Sequence, residues 1–175
     1  MKENINSQSY WDKRWTETPM LSRKLENVIC GLVKEKCSVL DIGCGSGRIL
    51  RSLKKDLGCE VFGIDISQVA INILKRYGIK GLAMNVEDFS LKSPYDVIIL
   101  SHTLEHISSD KELVLKVASI TKKYAIIAVP NDCMEDEPEH VRKYNKESLT
   151  SLVSKHFKQI EDHSVGVHLV LKCYV

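Results

Sequence analysis

Val39-Leu40-Asp41-Ile42-Gly43-Cys44-Gly45-Ser46-Gly47-Arg48 is a short apolar burst that runs straight into glycines, the pattern of a buried strand ending in a tight loop. Glycines at alternate positions let a ligand approach the backbone and present itself to the N-terminus of a following helix. A helix does follow, because Ile49, Leu50, Leu53 and Leu57 recur at helical spacing. Upstream, Leu21, Leu25, Val28, Ile29 and Leu32 mark another helix that leads into the strand. In an open α/β sheet a ligand lies beyond the carboxyl ends of the strands, where this loop sits if its strand is central.

Working outward, Glu60-Val61-Phe62-Gly63-Ile64-Asp65 reads as a second buried strand ending on an acid. Ser67 is placed to cap the next helix, with Val69, Ala70, Ile73, Leu74 and Tyr77 on its apolar face and Gly78 as its C′ residue. A third strand is expected near Lys80 to Met84 and a fourth at Tyr95 to Ser101. A helix should then run from a Ser109-x-x-Glu112 capping box through Ile120, with a fifth strand at Tyr124 to Val129. Leu149, Leu152 and Val153 define the last helix. Two strands follow with no helix between them, the final one placing Val167, Leu169, Leu171, Cys173 and Val175 on one face after a turn near Gly166. Strands separated by helices argue a doubly wound α/β sheet of seven strands, mixed at one edge.

The bulk properties set bounds. A chain of 175 residues, 43% hydrophobic and 27% charged, fits one globular domain. The formal net charge of +2 argues against nucleic acid and against a polybasic membrane anchor. No apolar run approaches a membrane span and the first residues carry no signal-peptide core, so a cytoplasmic location is expected. The six cysteines include no C-x-x-C pair, which argues for reduced, buried thiols.

The glycine spacing also bears on the ligand. A nicotinamide fingerprint, G-x-G-x-x-G, would put its third glycine at position 48, which is Arg48. Asp41 would repel a pyrophosphate, so a cationic, phosphate-free cofactor suits the loop better. Asp65, at the end of the second strand, can accept hydrogen bonds from both hydroxyls of a ribose.

Val39 to Gly47 resembles motif I of the class I S-adenosylmethionine-dependent methyltransferases, close to the small ubiquinone-biosynthesis type. Val61 to Ser67, Asn85 to Phe89 and Tyr95 to Ser101 are similar to later segments of that family. The resemblance implies a Rossmann-like sheet of order 3-2-1-4-5-7-6 with strand 7 antiparallel. It divides the chain into an N-terminal helical lid or cap over residues 1–35 and a core over 36–175. It implies S-adenosylmethionine as cofactor, S-adenosylhomocysteine as product, and a cofactor site of Asp41, Gly43, Cys44, Gly45, Gly47, Asp65, Ile66, Asn85, Val86 and Ser101. In it Asp41 lies near the amino group, Asp65 holds the ribose, Ile66 packs on the adenine, and Asn85 accepts from the adenine amino group, with Glu87 or Asp88 as substitutes.

His102-Thr103-Leu104-Glu105-His106 follows the fourth strand, and on a helical turn His102, Glu105 and His106 would share a face. Alone, H-x-x-E-H is also a zinc-peptidase signature, which the fold context argues against. A subset of the resembled family carries E-x-x-E-H here and binds a divalent metal, and this chain departs from it at His102. His140 could complete a site, so the metal candidates are His102, Glu105, His106 and His140, although a metal is not expected. His106, with His102, is the candidate base. Tyr10, Trp11 and Trp15 are either part of a lid or anchors for the first helix, while His156, His163 and His168 form no constellation. The expected activity is methyl transfer to an oxygen or nitrogen of a small-molecule acceptor. Two alternatives stay open: a noncatalytic S-adenosylmethionine-binding module, and a metal-dependent RNA 2′-O-methyltransferase.

Overall fold

The computed structural model describes residues 6–17, 22–90, 93–131 and 137–175. Its frame is a parallel run of strands: β1 (Ser38–Ile42), β2 (Glu60–Asp65), β3 (Lys80–Ala83), β4 (Tyr95–Ser101) and β5 (Thr121–Pro130). β6 (Gln159–Asp162) and β7 (His168–Tyr174) complete one sheet of order β3-β2-β1-β4-β5-β7-β6, in which β7 is antiparallel to both neighbours. The expected order is therefore observed. β1 is central, paired with β2 (Asp41 opposite Gly63) and with β4 (Asp41 opposite Ile99).

Side-chain alternation along the strands feeds two cores. Leu40, Ile42, Ile98, Leu100, Ile127, Leu169 and Leu171 pack on one face with α5 (Asp110–Ile120) and α6 (Lys146–Val153). Val39, Val97, Ile99, Ile126, Ala128 and Val170 pack on the other with α2 (Arg23–Leu32), α3 (Arg48–Leu57) and α4 (Gln68–Arg76). α2 lies within the segment expected as a lid, yet its Leu25, Ile29 and Leu32 are buried in the core. Of the two helices described in that segment, α1 (Gln8–Glu17) is the one whose side chains, Trp11 and Trp15, reach the loop end of the sheet. Leu21 lies outside the described residues.

Three local expectations are corrected. Ser109 stands at the N-cap of α5 as expected, but its side chain makes no cap hydrogen bond and the capping box does not form; its N–H and hydroxyl both donate to Glu87 Oε1, at 3.1 and 2.8 Å. Tyr77 is not on the apolar face of α4 but at its C-cap, exposed, with the Arg51 guanidinium 4.1 Å from its ring centroid. Val167 is exposed and precedes β7 rather than sharing its buried face. The opposite face of β7 is buried too, including Lys172, whose ammonium lies 3.9 Å from the Tyr124 ring centroid and donates to Leu32 O. Among the described residues no helix is long and apolar enough to cross a membrane.

Candidate functional site

The glycine loop leaves β1 through a backbone that only close contacts explain. Gly43 has φ 77° and donates to Ile64 O at 2.7 Å, and a Cβ on it would lie 2.2 Å from Thr103 Oγ1. Thr103 is itself fixed, donating to Ile42 O at 2.9 Å. A Cβ on Gly45 would lie 2.2 Å from Trp15 Cζ2, so the indole from α1 rests directly on the loop. The loop is thus pinned by Thr103 on one side and roofed by Trp15 on the other.

Between them lies a cleft whose empty space, open solvent at its mouth included, is about 630 Å³. Gly43, Asp65, Ile66, Asn85, Val86, His102 and His106, all expected site residues, line it. Asp41, Cys44, Gly45, Gly47 and Ser101 do not. They stand behind the wall: Cys44 Sγ fills the space beside Gly63, and Gly47 lies against Leu74. Trp11, Trp15, Thr103, Ile107 and Asn6 also line the cleft. The two tryptophans were legible as an aromatic segment, whereas nothing in the spacing singled out Thr103 or Ile107.

Two acids set the electrostatics. Asp65 accepts from Gly45 N through Oδ2 at 2.8 Å and from Ser67 N through Oδ1 at 2.9 Å. Burial pushes its carboxyl up to about 6, against the pull of those two N–H groups. Asp41 is fully enclosed, its Oδ1 has no hydrogen-bond partner, and burial with the nearby Asp65 charge pushes it up to about 8. An orphaned carboxylate oxygen beside a second acid is a place for a cation. Asn85 Oδ1 already accepts from Glu87 N at 3.0 Å, and Glu87 Oε1 is taken by Ser109.

The histidine end is built differently from the expected helical face. His102 sits at φ 54° and residues Leu104–His106 form a single 3₁₀ turn rather than an α-helix, yet Glu105 Oε1 still lies 3.5 Å from His102 Nδ1 and 4.0 Å from His106 Nε2. The other ring nitrogen of His102 turns toward His168, Nε2 to Nδ1 at 3.1 Å, a partner with no sequence signal because it lies 66 positions away. Glu105, His106 and His140 do converge, one ligand atom from each within 4.8 Å of the others. Burial pushes Glu105 up to about 8, and neither of its carboxylate oxygens has a hydrogen-bond partner.

His106 is oriented by a contact that fixes its tautomer. Its Nδ1 lies 3.0 Å from Glu139 O, and a carbonyl can only accept, so Nδ1 carries the proton. Burial holds the ring down to about 4, hence neutral, which leaves a lone pair on Nε2. The Trp11 ring meets it edge-on at 4.9 Å.

Comparisons with known proteins bear on the family and the fold. The family model described as a methyltransferase domain matches residues 14–156. The ubiquinone biosynthesis O-methyltransferase of Bordetella parapertussis is 30% identical over 92 residues, 48% of this chain and 38% of that protein. The match therefore spans well under half of that relative's length. Among solved structures, the magnesium protoporphyrin IX methyltransferase of Synechocystis, with bound S-adenosylhomocysteine, superposes at a TM-score of 0.74. It is 12% identical, over 97% of this chain and 95% of that one. The Burkholderia thailandensis 1,6-didemethyltoxoflavin-N1-methyltransferase, bound to its namesake compound and S-adenosylhomocysteine, also gives 0.74, at 18% identity over 95% and 83%. These two likenesses are of fold. The family match runs from within α1 to just beyond α6, across the glycine loop, both acids and the histidine end, and by it the chain belongs to the methyltransferase-domain family.

Proposed function

We propose that this chain binds S-adenosylmethionine in the cleft and transfers its methyl group to an oxygen or nitrogen of a small, planar, uncharged acceptor. The observation that carries the reading is the pairing of a glycine loop with two buried acids, one holding an orphaned oxygen. That donor set fits a cationic cofactor and opposes a pyrophosphate. Asp65 would serve the ribose hydroxyls and Ile66 and Val86 the adenine faces, while Asp41 would act on the amino group from behind the glycine loop, outside the cleft lining. Asn85 keeps one lone pair and its amide N–H groups for the adenine edge.

When bound, S-adenosylmethionine supplies a methyl group already activated on a sulfonium for in-line displacement. The protein's work is then to orient, to exclude water and to take a proton. Trp11 and Trp15 cover the cleft. His106 Nε2, neutral and carrying its lone pair, takes the proton from the acceptor's O–H or N–H. Among the described residues the cleft wall carries no lysine or arginine, and its far end is Trp11, His102, His106 and Ile107. Such walls suit a flat acceptor without carboxylate or phosphate at its reacting end.

The test is the thermal midpoint with and without S-adenosylhomocysteine, with NAD as control. Ligand at about a hundredfold over its Kd adds roughly 2.7 kcal/mol, which raises the midpoint by about 5 to 10 °C at this size. A rise with the homocysteine compound alone is expected, and a rise with NAD alone overturns the reading. Labelled methyl transfer to any acceptor excludes a purely binding role.

A second reading rests on one observation, the convergence of Glu105, His106 and His140 around orphaned carboxylate oxygens. Those three residues would hold a divalent cation on oxygen and nitrogen ligands, a donor set that suits zinc or manganese. In that case Nδ1 of His106, held by Glu139 O, is the second-sphere contact that aims Nε2 at the ion.

A further inference from the structure

His102 has three properties that cofactor binding does not require. Among the described residues it alone has a positive φ without being glycine, a backbone state that residues with a β-carbon rarely adopt. Its ring lines the cleft. Yet both ring nitrogens are directed at residues behind the wall, Nε2 at His168 Nδ1, 3.1 Å away, and Nδ1 at Glu105 Oε1, 3.5 Å away.

Strain of this kind persists only where surrounding contacts hold it. The backbone contact is the His102 N–H donating to Ala128 O at 2.8 Å, which fixes the main chain but leaves the side-chain rotamer free. The nearer of the ring's two polar neighbours is His168, whose ring meets the His102 ring at a centroid distance of 5.0 Å and an angle of 61°. His168 is well placed to be rigid. It opens β7 opposite Pro130 of β5, and its N–H donates to Val165 O across the Gly166 turn. It is not among the residues that line the cleft.

We propose that His168 is a positioning residue for the acceptor side of the site, holding the His102 ring through the Nδ1–Nε2 hydrogen bond so that His102 presents ring carbons to the acceptor. The proposal rests on the methyl-transfer reading above. It makes His102 a wall that selects flat acceptors by shape, and leaves proton removal to His106, the histidine with a nitrogen lone pair free.

The experiment uses the full chain with ¹⁵N-labelled histidine, and imidazole spectra recorded with and without S-adenosylhomocysteine. The His102 ring signals are assigned from His102→Gln. His168→Asn keeps a hydrogen-bonding group within reach of His102 Nε2, and His168→Ala does not. In the natural protein and in His168→Asn, His102 should show a single tautomer; in His168→Ala it should average between two. Affinity for S-adenosylhomocysteine should stay within about twofold in both variants, as expected for separate sites. An unchanged His102 spectrum in His168→Ala overturns the proposal. So does a loss of cofactor affinity that tracks the His102 change, since His168 would then only be holding the fold. If the natural protein fails to bind S-adenosylhomocysteine, it is the methyl-transfer reading that falls, while the ligand-free spectra still decide whether His168 sets the His102 ring.

Discussion

Asp12 and Ser67, 55 positions apart, share a hydrogen bond of 2.5 Å from the Ser67 hydroxyl to Asp12 Oδ1. The same oxygen accepts from Val69 N at 3.0 Å, while Ser67 Oγ accepts from Ala70 N. The N-terminus of α4 is therefore capped twice, once by its own serine and once by a carboxylate from α1, which the helix dipole favours. Arg14 anchors the other side of α1 to Glu139 at 3.4 Å. Asp12→Ala should cost about 1 kcal/mol and speed tryptic cleavage after Lys13 and Arg14. Bound S-adenosylhomocysteine should slow that cleavage in the natural protein. Equal cleavage rates in all three samples would show that α1 is not coupled to the cleft.

Gly45→Ala adds a methyl group where Trp15 already stands, at a φ of +52°. The indole must move, so tryptophan fluorescence should shift to the red and affinity for S-adenosylhomocysteine should fall. Gly58→Ala is the control, since φ there is +68° but nothing lies within 4 Å. It should carry only the backbone cost of roughly 1 to 2 kcal/mol and leave affinity alone. Equal affinity losses in the two variants would mean that Trp15 plays no part.

Asp41 predicts a pH dependence of stability with a definite sign. Its folded carboxyl titrates at about 8, against an ordinary 3.8, because burial and then the Asp65 charge oppose ionisation. Between those values the folded state holds a proton that the unfolded state has released, so stability falls as pH rises through the window. Asp41→Asn should make the slope seen in chemical denaturation between pH 4 and 8 shallower, the remainder coming from Asp65 and Glu105, which burial also raises. S-adenosylhomocysteine, which brings an ammonium group, should flatten it in the natural protein. A slope that survives the asparagine variant unchanged would assign it to other groups.

Glu105 and His106 separate the base from the metal. His106→Ala should lower turnover by a factor on the order of 100, whichever reading holds. Glu105→Gln replaces a carboxyl that burial keeps neutral up to about pH 8, so without a metal it should change little. With Mn²⁺ added to the natural protein, a thermal shift that Glu105→Gln abolishes and a chelator reverses would establish the cation site. No shift with Mn²⁺, Mg²⁺ or Zn²⁺ would leave Glu105 as a buried residue behind the cleft wall.

Much of the sheet was legible because its signals are local. β2 ends on Asp65 and β4 spans Tyr95–Ser101, as the apolar runs and their bounding residues indicate. β5 begins three residues earlier than expected, at Thr121, because α5 ends at Ile120 and passes into the strand without a loop. Thr121, Lys122 and Lys123 gave no apolar signal. The failures were long-range. Ser109 reads as a capping residue until Glu87, 22 positions away, takes its hydroxyl. His168 reads as unremarkable until the antiparallel return of β7 brings it to His102. In the cleft, loop glycines and strand-end acids announce themselves by spacing, but the left-handed turn at His102 depends on contacts that no window of sequence contains.

The place of β7 in the sheet governs the order in which the molecule can assemble. β5 pairs with β4 on one side and with β7 on the other, and β6 pairs with β7. During synthesis β6 is made before its partner exists, and the whole outer edge of β5 stays open until residues 168–174 have emerged. Ala125, Ile126, Ile127 and Ala128, all buried in the finished protein, border an unpaired edge for that interval, the template for misassociation between nascent chains. His168, the first residue of that strand, reaches His102 only when this edge closes. The contact between His102 and His168 can thus form only once residue 168 has been made, and a chain stalled before it would carry the glycine loop and both acids with the outer edge of β5 unpaired.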